Sequence, residues 1–357
     1  MGAQRLYFID WMKAIGIVLI VYDHLVGSTI NFMTPPILPK QIGVSCFLFV
    51  LAYVLARERR PVWEVIVRRL FTLYLVGVGT AVILSLCGLM THGRLQLSNY
   101  LPFLGGANVL ILQNAFPANP TTWYIATYVH VVLLWALIGR RLRVRLWMLP
   151  CAAVGEVVVR LMLADAAGPY VAYMALPNWL TVLLWGTWLG QHADDVSTNP
   201  AECGMITRSA VILTILLVFW PIAGSSFKAY PGFPFEAIGV NAPLAISVYA
   251  SAVVTLLYVS YVSCLFRLSR RLPTPFPVPF LAHNTLVIFI GHMPVFWVLA
   301  PIVEPQLSFW AAKIAEVLIC VFGLGVASEL IFRVINVESL RNQLFSIRPV
   351  AEAAQEL

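Results

Sequence analysis

The sequence predicts an all-α, polytopic integral membrane protein with about ten transmembrane helices. Of its 357 residues, 60% are hydrophobic and only 11% are charged, whereas a soluble domain is nearer half apolar and a quarter charged. The apolar segments are long and continuous. They lack the alternation of a membrane β-strand, and in lipid only helices or closed barrels satisfy the backbone polar groups. Helices are therefore predicted.

Ten segments approach or exceed the 17 to 25 apolar residues that a membrane-crossing helix needs. The predicted spans are 11–30, 42–57, 64–90, 121–139, 145–163, 172–191, 206–223, 244–266, 279–300 and 309–334. The tract 100–114 is apolar but short and contains Gly105-Gly106, which favours a re-entrant or interfacial piece. Residues 1–337 are predicted to form one transmembrane domain, and residues 338–357 a cytoplasmic C-terminal tail.

The basic residues indicate the orientation. They concentrate in every second loop and in the tail, so the positive-inside rule places both termini in the cytoplasm, as an even number of spans requires. The net charge of +7 is explained by this topology, and no nucleic acid partner is expected. We expect a multi-pass protein of the cell (inner) membrane. The basic loops carry Arg57, Arg59, Arg60, Arg140, Arg141, Arg143, Arg145, Arg267, Arg270 and Arg271.

Several classes of site are absent from the sequence. The six cysteines are scattered and form no CxxC motif, so they indicate neither a disulfide framework nor a zinc site. There is no phosphate-binding Walker loop, no dinucleotide-binding glycine motif and no GxSxG elbow. No metal is expected.

The first span contains four charged or titratable residues, which lipid normally excludes unless they have a function. They are Asp10, Lys13, Asp23 and His24. Lys13 and His24 share a helix face and stand about 16 Å apart along the axis, and Asp10 lies on that face beside Lys13. Histidine is suited to take a proton from a hydroxyl near neutral pH, and Lys13 is suited to hold an anionic cofactor. The alternative is structural: His24 hydrogen bonds to a neighbouring helix, and Lys13 reaches the headgroups.

The third span begins with a second basic pair, Arg68 and Arg69, below the loop arginines. Arginine presents a planar fork to phosphate, so a phosphate-rich ligand fits this end of the protein. The alternative is that these arginines only set the orientation of the helices in the membrane, which applies most to the arginines of the loop. In the fifth span, Glu156 and Arg160 are spaced as a structural ion pair.

Residues 5–17, Arg-Leu-Tyr-Phe-Ile-Asp-Trp-Met-Lys-Ala-Ile-Gly-Ile, followed by His24, resemble the opening of the bacterial membrane acyltransferase family three, in particular its fucose-acetylase-like branch. The spacing of Lys13 and His24 matches that family. Later similarities are the arginines of the third span, Trp123-Tyr124-Ile125 and His292-Met293-Pro294. The resemblance covers nearly the whole chain.

The resemblance implies an O-acyltransferase that moves an acyl group, by default acetyl, from cytoplasmic acyl-CoA to a hydroxyl of an extracytoplasmic sugar or glycoconjugate. The expected partners are the lipid bilayer, acyl-CoA and a glycan acceptor. The implied catalytic residues are His24, Asp10 and Lys13. The implied donor-binding residues are Lys13, Arg68, Arg69, Trp123 and Tyr124, and the implied acceptor-binding residues are Asp23 and His292.

Two other functions remain open. The first is a transporter or flippase that uses the polar groups of the first, ninth and tenth spans as a path for a substrate or for protons. The second is a non-catalytic relative that acts as a sensor or assembly partner. The family's Arg-x-x-Arg in the third helix is missing, because Phe71 and Thr72 stand three residues after the two arginines.

Overall fold

The protein is helical throughout the part that the computed structural model describes, namely residues 6–26, 39–110, 118–193 and 242–345 with isolated positions at 208, 209, 212 and 238. These residues contain thirteen α-helices and no strand. The helices are α1 Tyr7–Leu25, α2 Pro39–Ala56, α3 Val62–His92, α4 Ala107–Leu110, α5 Trp123–Leu134, α6 Met148–Ala167, α7 Pro169–Met174, α8 Leu180–Gln191, α9 Leu244–Ser269, α10 Pro277–Val303, α11 Phe309–Leu318, α12 Leu324–Val334 and α13 Val337–Phe345. Turns of 3-10 helix cover Leu97–Phe103, Pro120–Thr122 and Leu176–Trp179, and π-helical turns cover Trp135–Gly139 and Ile319–Gly323.

Five helical segments in the described ranges are long and apolar enough to cross a membrane. They are Val62–His92, Pro120–Gly139, Leu244–Ser269, Pro277–Val303 and Phe309–Val334, and the shorter Lys40–Ala56 is also apolar. Helix α1 has 19 residues, about 28 Å, but carries three charged side chains. The prediction of a multi-pass helical membrane protein is therefore confirmed, whereas the number ten remains a prediction.

Two predicted segments differ in detail from the structure. The predicted span 172–191 is interrupted, because α7 ends at Met174 and a 3-10 turn containing Pro177 precedes α8. In the tract 100–114, a 3-10 turn leads to Gly105 and Gly106, both with positive φ, and then to α4. Residues 111–114 and the predicted span 206–223 lie outside the described residues, apart from positions 208, 209 and 212.

Glycines bring α1, α2 and α8 into close contact. A Cβ atom at Gly43 of α2 would collide with the Gly16 carbonyl of α1, and one at Gly186 of α8 would lie 2.6 Å from the Phe49 carbonyl of α2. Small residues let helices approach closely in a bilayer, where dispersion contacts rather than water exclusion hold helices together. Helix α2 therefore packs closely against both α1 and α8.

Gly186→Ala is expected to destabilise the protein by about 1 to 3 kcal/mol, because the added methyl group meets backbone that cannot rotate away. Gly79→Ala is the matched control, since a Cβ atom at Gly79 has no neighbour within 4 Å. Thermal unfolding in detergent, followed by loss of the monodisperse peak, compares the two variants. Equal melting temperatures would show that α2 and α8 are not held at this distance.

The basic loops gather at one end of the bundle. The Phe8 ring near the start of α1 packs edge-on against Tyr53 near the end of α2 and Phe266 near the end of α9, with ring centroids 5.1 and 5.0 Å apart. The Arg57 guanidinium lies over the Tyr53 ring, and that of Arg270 lies over the Phe266 ring. We call this the basic end.

Helix α8 and the loop after α5 reach the same end. Gly190 of α8 packs against the Tyr53 carbonyl of α2. The side chain of the next residue, Gln191, donates a hydrogen bond to the Leu142 carbonyl and accepts one from the Val144 amide. The loops after α2, α5 and α9, which carry the arginines that the positive-inside rule groups together, therefore lie at the same end of the bundle.

The predicted tail begins with a short amphipathic helix that packs on α3. Glu338 of α13 lies 3.8 Å from Arg68, and the Phe345 ring packs edge-on against Phe71 at 5.8 Å between centroids. Helix α13 therefore covers part of the basic end. The domain boundary at residue 337 stays a prediction.

Candidate active site

A cavity of about 200 Å³ lies between α1, α2, α3, α5 and α10. Two cationic side chains, four hydroxyl groups and a set of apolar side chains line it. The lining residues are Lys13, Phe47, Val50, Leu51, Val54, Arg69, Thr72, Leu73, Tyr124, Ile125, Tyr128, Thr285, Leu286 and Phe289. No carboxylate of the described residues is among them, so the cationic groups in the lining face the cavity without an acidic side chain beside them there.

Lys13 and Arg69 provide that charge from two different helices. They lie close enough for their charges to interact, and the Arg69 guanidinium faces the Tyr128 hydroxyl. Two cations brought together in a partly buried cavity repel each other, and this cost is recovered when an anion binds between them. The pair is suited to hold a phosphate or another multiply charged group.

Arg68 is oriented away from this cavity. Its guanidinium pairs with Glu64 one turn earlier at 2.8 Å and approaches Glu338 of α13 at 3.8 Å, and it is not a lining residue. Adjacent residues on a helix point about 100° apart, so only one arginine of the pair faces the cavity. The structure therefore separates two residues that the sequence analysis grouped together.

A loop arginine at the basic end is also neutralised locally. Arg60 donates hydrogen bonds from Nε at 2.8 Å and from Nη2 to the Glu58 carboxylate. Burial disfavours the ionised carboxyl group, but the hydrogen bonds and charge of Arg60 outweigh burial and hold the pKa of Glu58 below its ordinary value. Both members of this pair are therefore ionised at neutral pH. Because their opposite charges largely cancel, the pair adds little net electric field at the basic end.

Aromatic rings form the wall of the cavity toward its deeper end. Tyr124 of α5 packs against Phe289 of α10 at 5.3 Å and against Phe47 of α2 at 6.2 Å between centroids. Trp123 is buried behind this wall, where it packs on Tyr173 at 4.8 Å. Of the two aromatic residues predicted to bind the donor, Tyr124 lines the cavity and Trp123 supports it from outside.

Beyond the aromatic wall, α1 and α10 are joined by a pair of histidines. Nδ1 of His24 and Nε2 of His292 are 2.8 Å apart, and the planes of the two rings are within 19° of parallel. His292 is fully buried, and its Nδ1 lies 3.1 Å from the Ile288 carbonyl oxygen. Phe289 contacts both regions, because it lines the cavity and packs edge-on against His292.

The residue before His24 points to a different partner. Asp23 forms an ion pair of 3.3 Å with Lys40 of α2, and the side chain of Lys40 is 38% exposed. The carboxylate and the imidazole of these consecutive residues therefore do not interact directly, as the helix geometry predicts. Asp23 and Lys40 place a charged pair beside the histidine pair, at the end of α1 opposite the basic end.

The segment leading into α5 is anchored to α10 near the histidine pair. Pro294 has no N–H, so the helix leaves the carbonyl of Ile290 without its usual partner. The Asn119 side chain donates a hydrogen bond of 2.8 Å to that carbonyl, and its oxygen accepts from the backbone and hydroxyl of Thr121. This arrangement fixes α5, and hence Tyr124, relative to His292.

The structure brings together most of the residues that the sequence singled out. Lys13, Arg69 and Tyr124 line one cavity, His24 and His292 pair beyond it, and Asp10 lies one turn before Lys13. The sequence analysis missed Asn119 and the cavity residues Phe47, Tyr128, Thr285 and Phe289. The spacing of Tyr124 and Tyr128, four residues apart on one helix face, was the available signal for the second tyrosine.

Within the described ranges, no group of three or more His, Cys, Asp or Glu side chains is placed to hold a metal ion.

The fold and this site define a multi-pass membrane protein with a positively charged cavity and an intramembrane histidine pair. The family model for an acyltransferase domain, that of acyltransferase family 3, matches residues 6–331. The chain therefore belongs to acyltransferase family 3, and the family suggested by its first helix is confirmed. Searches of curated proteins and of solved structures find no significant match.

Proposed function

We propose that the protein is a membrane-embedded O-acyltransferase that moves an acyl group, most simply acetyl, from cytoplasmic acyl-CoA to a hydroxyl of an extracytoplasmic sugar or glycoconjugate. The observation that carries this proposal is the position of Lys13 and Arg69 in one cavity, with His24 on the same face of α1 as Lys13. Family membership supports acyl transfer as the reaction class. The donor, acceptor and direction are our inference.

The donor site is argued from charge. The phosphates of CoA are anionic, and Lys13 and Arg69 offer them an ammonium and a guanidinium group in a cavity whose described lining contains no carboxylate. Asp10, one turn before Lys13, lies outside that lining. Thr72 and Tyr128 add hydroxyl groups that hydrogen bond to phosphate or to amide groups of the pantetheine arm. Arg68, tied to Glu64, acts only indirectly, by holding the start of α3.

The distance between the anchors and the base fits a long, extended donor. Lys13 and His24 are about 16 Å apart along α1, so a donor whose phosphates bind at the basic end must reach through the aromatic wall to bring its thioester to His24. The apolar residues between them, among them Val50 and Phe289, suit the uncharged arm of CoA. The positive-inside rule places the basic end at the cytoplasm, where acyl-CoA is made.

The proposed reaction is a single displacement assisted by His24. The imidazole takes the proton of the acceptor hydroxyl while the oxygen attacks the thioester carbonyl carbon. The carbon–sulfur bond then breaks, and His24 transfers the proton it took from the acceptor to the departing CoA sulfur. Asp23 and Lys40, which pair beside His24, are placed to hydrogen bond to other hydroxyl groups of a sugar acceptor.

Lys13→Ala and Arg69→Ala are each expected to weaken acetyl-CoA binding by about ten- to a hundred-fold. The reason is that a charge-assisted hydrogen bond contributes about 1.5 to 3 kcal/mol. Isothermal titration of acetyl-CoA into protein in lipid nanodiscs measures this effect.

Arg140→Ala is the matched control, since it removes an exposed cation from a loop at the same end. Arg68→Ala is expected to have a smaller effect than Arg69→Ala. Equal losses in Arg140→Ala and Arg69→Ala would assign the effect to the general field of the basic end and would overturn the donor site.

A further inference from the structure

The hydrogen bonds of His292 determine which of its nitrogens carries a proton. Nδ1 lies 3.1 Å from the Ile288 carbonyl oxygen, and a carbonyl oxygen only accepts, so Nδ1 must be the donor. A neutral imidazole has one donor and one acceptor nitrogen. His292 is fully buried, and no carboxylate of the described residues forms an ion pair with it, so its neutral form is favoured. Its Nε2 is therefore an acceptor.

The same logic extends to His24. Nδ1 of His24 is 2.8 Å from Nε2 of His292, and two acceptors cannot form a hydrogen bond, so Nδ1 of His24 carries the proton. Its other nitrogen, Nε2, is then unprotonated. Within the described part of the chain, no hydrogen bond involves that nitrogen.

We propose that His292 is a positioning residue that fixes the tautomer of His24, so that Nε2 of His24 presents the lone pair that takes the acceptor proton. This inference rests on the proposed function, in which His24 is the base. In the sequence analysis, His292 was predicted to bind the acceptor instead. The fold assigns it a place behind the base, on the far side of the ring from the reacting nitrogen.

The chain holds His292 rigidly enough for this role. Its ring lies nearly in the plane of the His24 ring and packs edge-on with Phe289, and its carbonyl oxygen accepts a hydrogen bond from the Cys320 thiol at 3.5 Å. Two residues earlier in α10, the Asn119 side chain donates a hydrogen bond to the Ile290 carbonyl, which Pro294 leaves without a helical partner. The imidazole therefore has a defined orientation on a helix that is anchored on two sides.

The consequence for catalysis is both geometric and electrostatic. In Ser-His-Asp triads a carboxylate fixes the tautomer and stabilises the imidazolium that forms. Here a neutral imidazole accepts the same hydrogen bond. It therefore orients the base without adding a second charge to the membrane interior, where an isolated charge is costly. When Nε2 of His24 receives the proton, the hydrogen bond to His292 strengthens, because its donor has become cationic.

Nitrogen-15 NMR of protein labelled at histidine, in lipid nanodiscs, reads the tautomer directly. The expected result is a protonated Nδ1 and an unprotonated Nε2 for His24 in the wild type, assigned by comparison with His24→Ala. Replacement of His292 by leucine should abolish that preference. A protonated Nε2 in the wild type, or an unchanged preference in His292→Leu, would overturn the inference.

Turnover separates positioning from packing. His292→Leu should lower kcat by about a hundred-fold, within the range attributed to general base catalysis, with KM for acetyl-CoA unchanged because the donor cavity is not altered. His292→Gln keeps an amide oxygen that can accept from Nδ1, so it should stay within about tenfold of wild-type kcat. The matched control is His283→Gln, which alters an exposed histidine of the same helix.

Equal loss in His292→Gln and His292→Leu would assign His292 a purely structural role and would contradict the inference. If the wild type transfers no acyl group at all, the proposed function fails. The NMR spectrum of the wild type still decides the tautomer in that case, so the two failures are distinguishable.

Discussion

His24→Ala should abolish acyl transfer while leaving the protein folded in the membrane. General base catalysis by a positioned imidazole contributes about 10²- to 10⁴-fold to the rate. His292 does not replace that base in place, because its unprotonated Nε2 lies on the Nδ1 side of the His24 ring, away from the position of His24 Nε2. Binding of acetyl-CoA should be nearly unchanged, because the donor cavity is anchored elsewhere. Single-turnover transfer of labelled acetyl, alongside equilibrium binding, separates these two effects.

His92→Ala is the control for this experiment. His92 is exposed at the last turn of α3, so its loss removes an imidazole without touching the histidine pair. Retention of more than about a tenth of wild-type transfer in His24→Ala would remove His24 from the role of base. An equal loss in His92→Ala would point to a general defect of the preparation.

Arg160→Met should destabilise the protein by about 3 to 5 kcal/mol, because it leaves a buried carboxylate without its partner. Arg160 and Glu156 are each 1% exposed and pair at 2.6 Å. The Arg160 guanidinium also donates to the Ser251 hydroxyl at 2.8 Å and to Asn178, and Glu156 accepts from the Thr181 amide at 3.0 Å. The network therefore joins α6, the break before α8, and α9.

The double variant Glu156→Leu/Arg160→Met tests this reason for the loss. Replacing both charges with apolar residues removes the unpaired carboxylate, so a large part of the stability should return. Thermal unfolding in detergent compares the single and double variants with the wild type. A single variant as stable as the wild type, or a double variant worse than the single one, would show that the network does not hold this region.

The helical class and the polar face of α1 could be predicted from sequence because they depend on local features. Hydrophobic length and the positions of arginines carry the membrane signal, and the spacing of Lys13 and His24 follows from the period of the helix alone. The ion pair of Glu156 and Arg160 is also a local pattern, and the structure confirms it.

The partners of these residues could not be predicted, because they come from distant parts of the chain. His292 reaches His24 across 268 positions, and no local pattern specifies which helix will lie beside α1. The choice between Arg68 and Arg69 depends on how α3 rotates against its neighbours, and that rotation is set by packing. Pro177 was a local signal for the interruption before α8. The segment is apolar throughout, however, so its hydropathy alone predicted one continuous span.

The most direct test of the account is transfer of labelled acetyl from acetyl-CoA by the purified wild-type protein in lipid nanodiscs, with a pool of membrane glycans as acceptor. The account predicts that label moves to the glycan fraction, that His24→Ala stops this movement, and that Lys13→Ala/Arg69→Ala raises the acetyl-CoA concentration needed for it. Absence of both acetyl-CoA binding and turnover in the wild type would contradict the account.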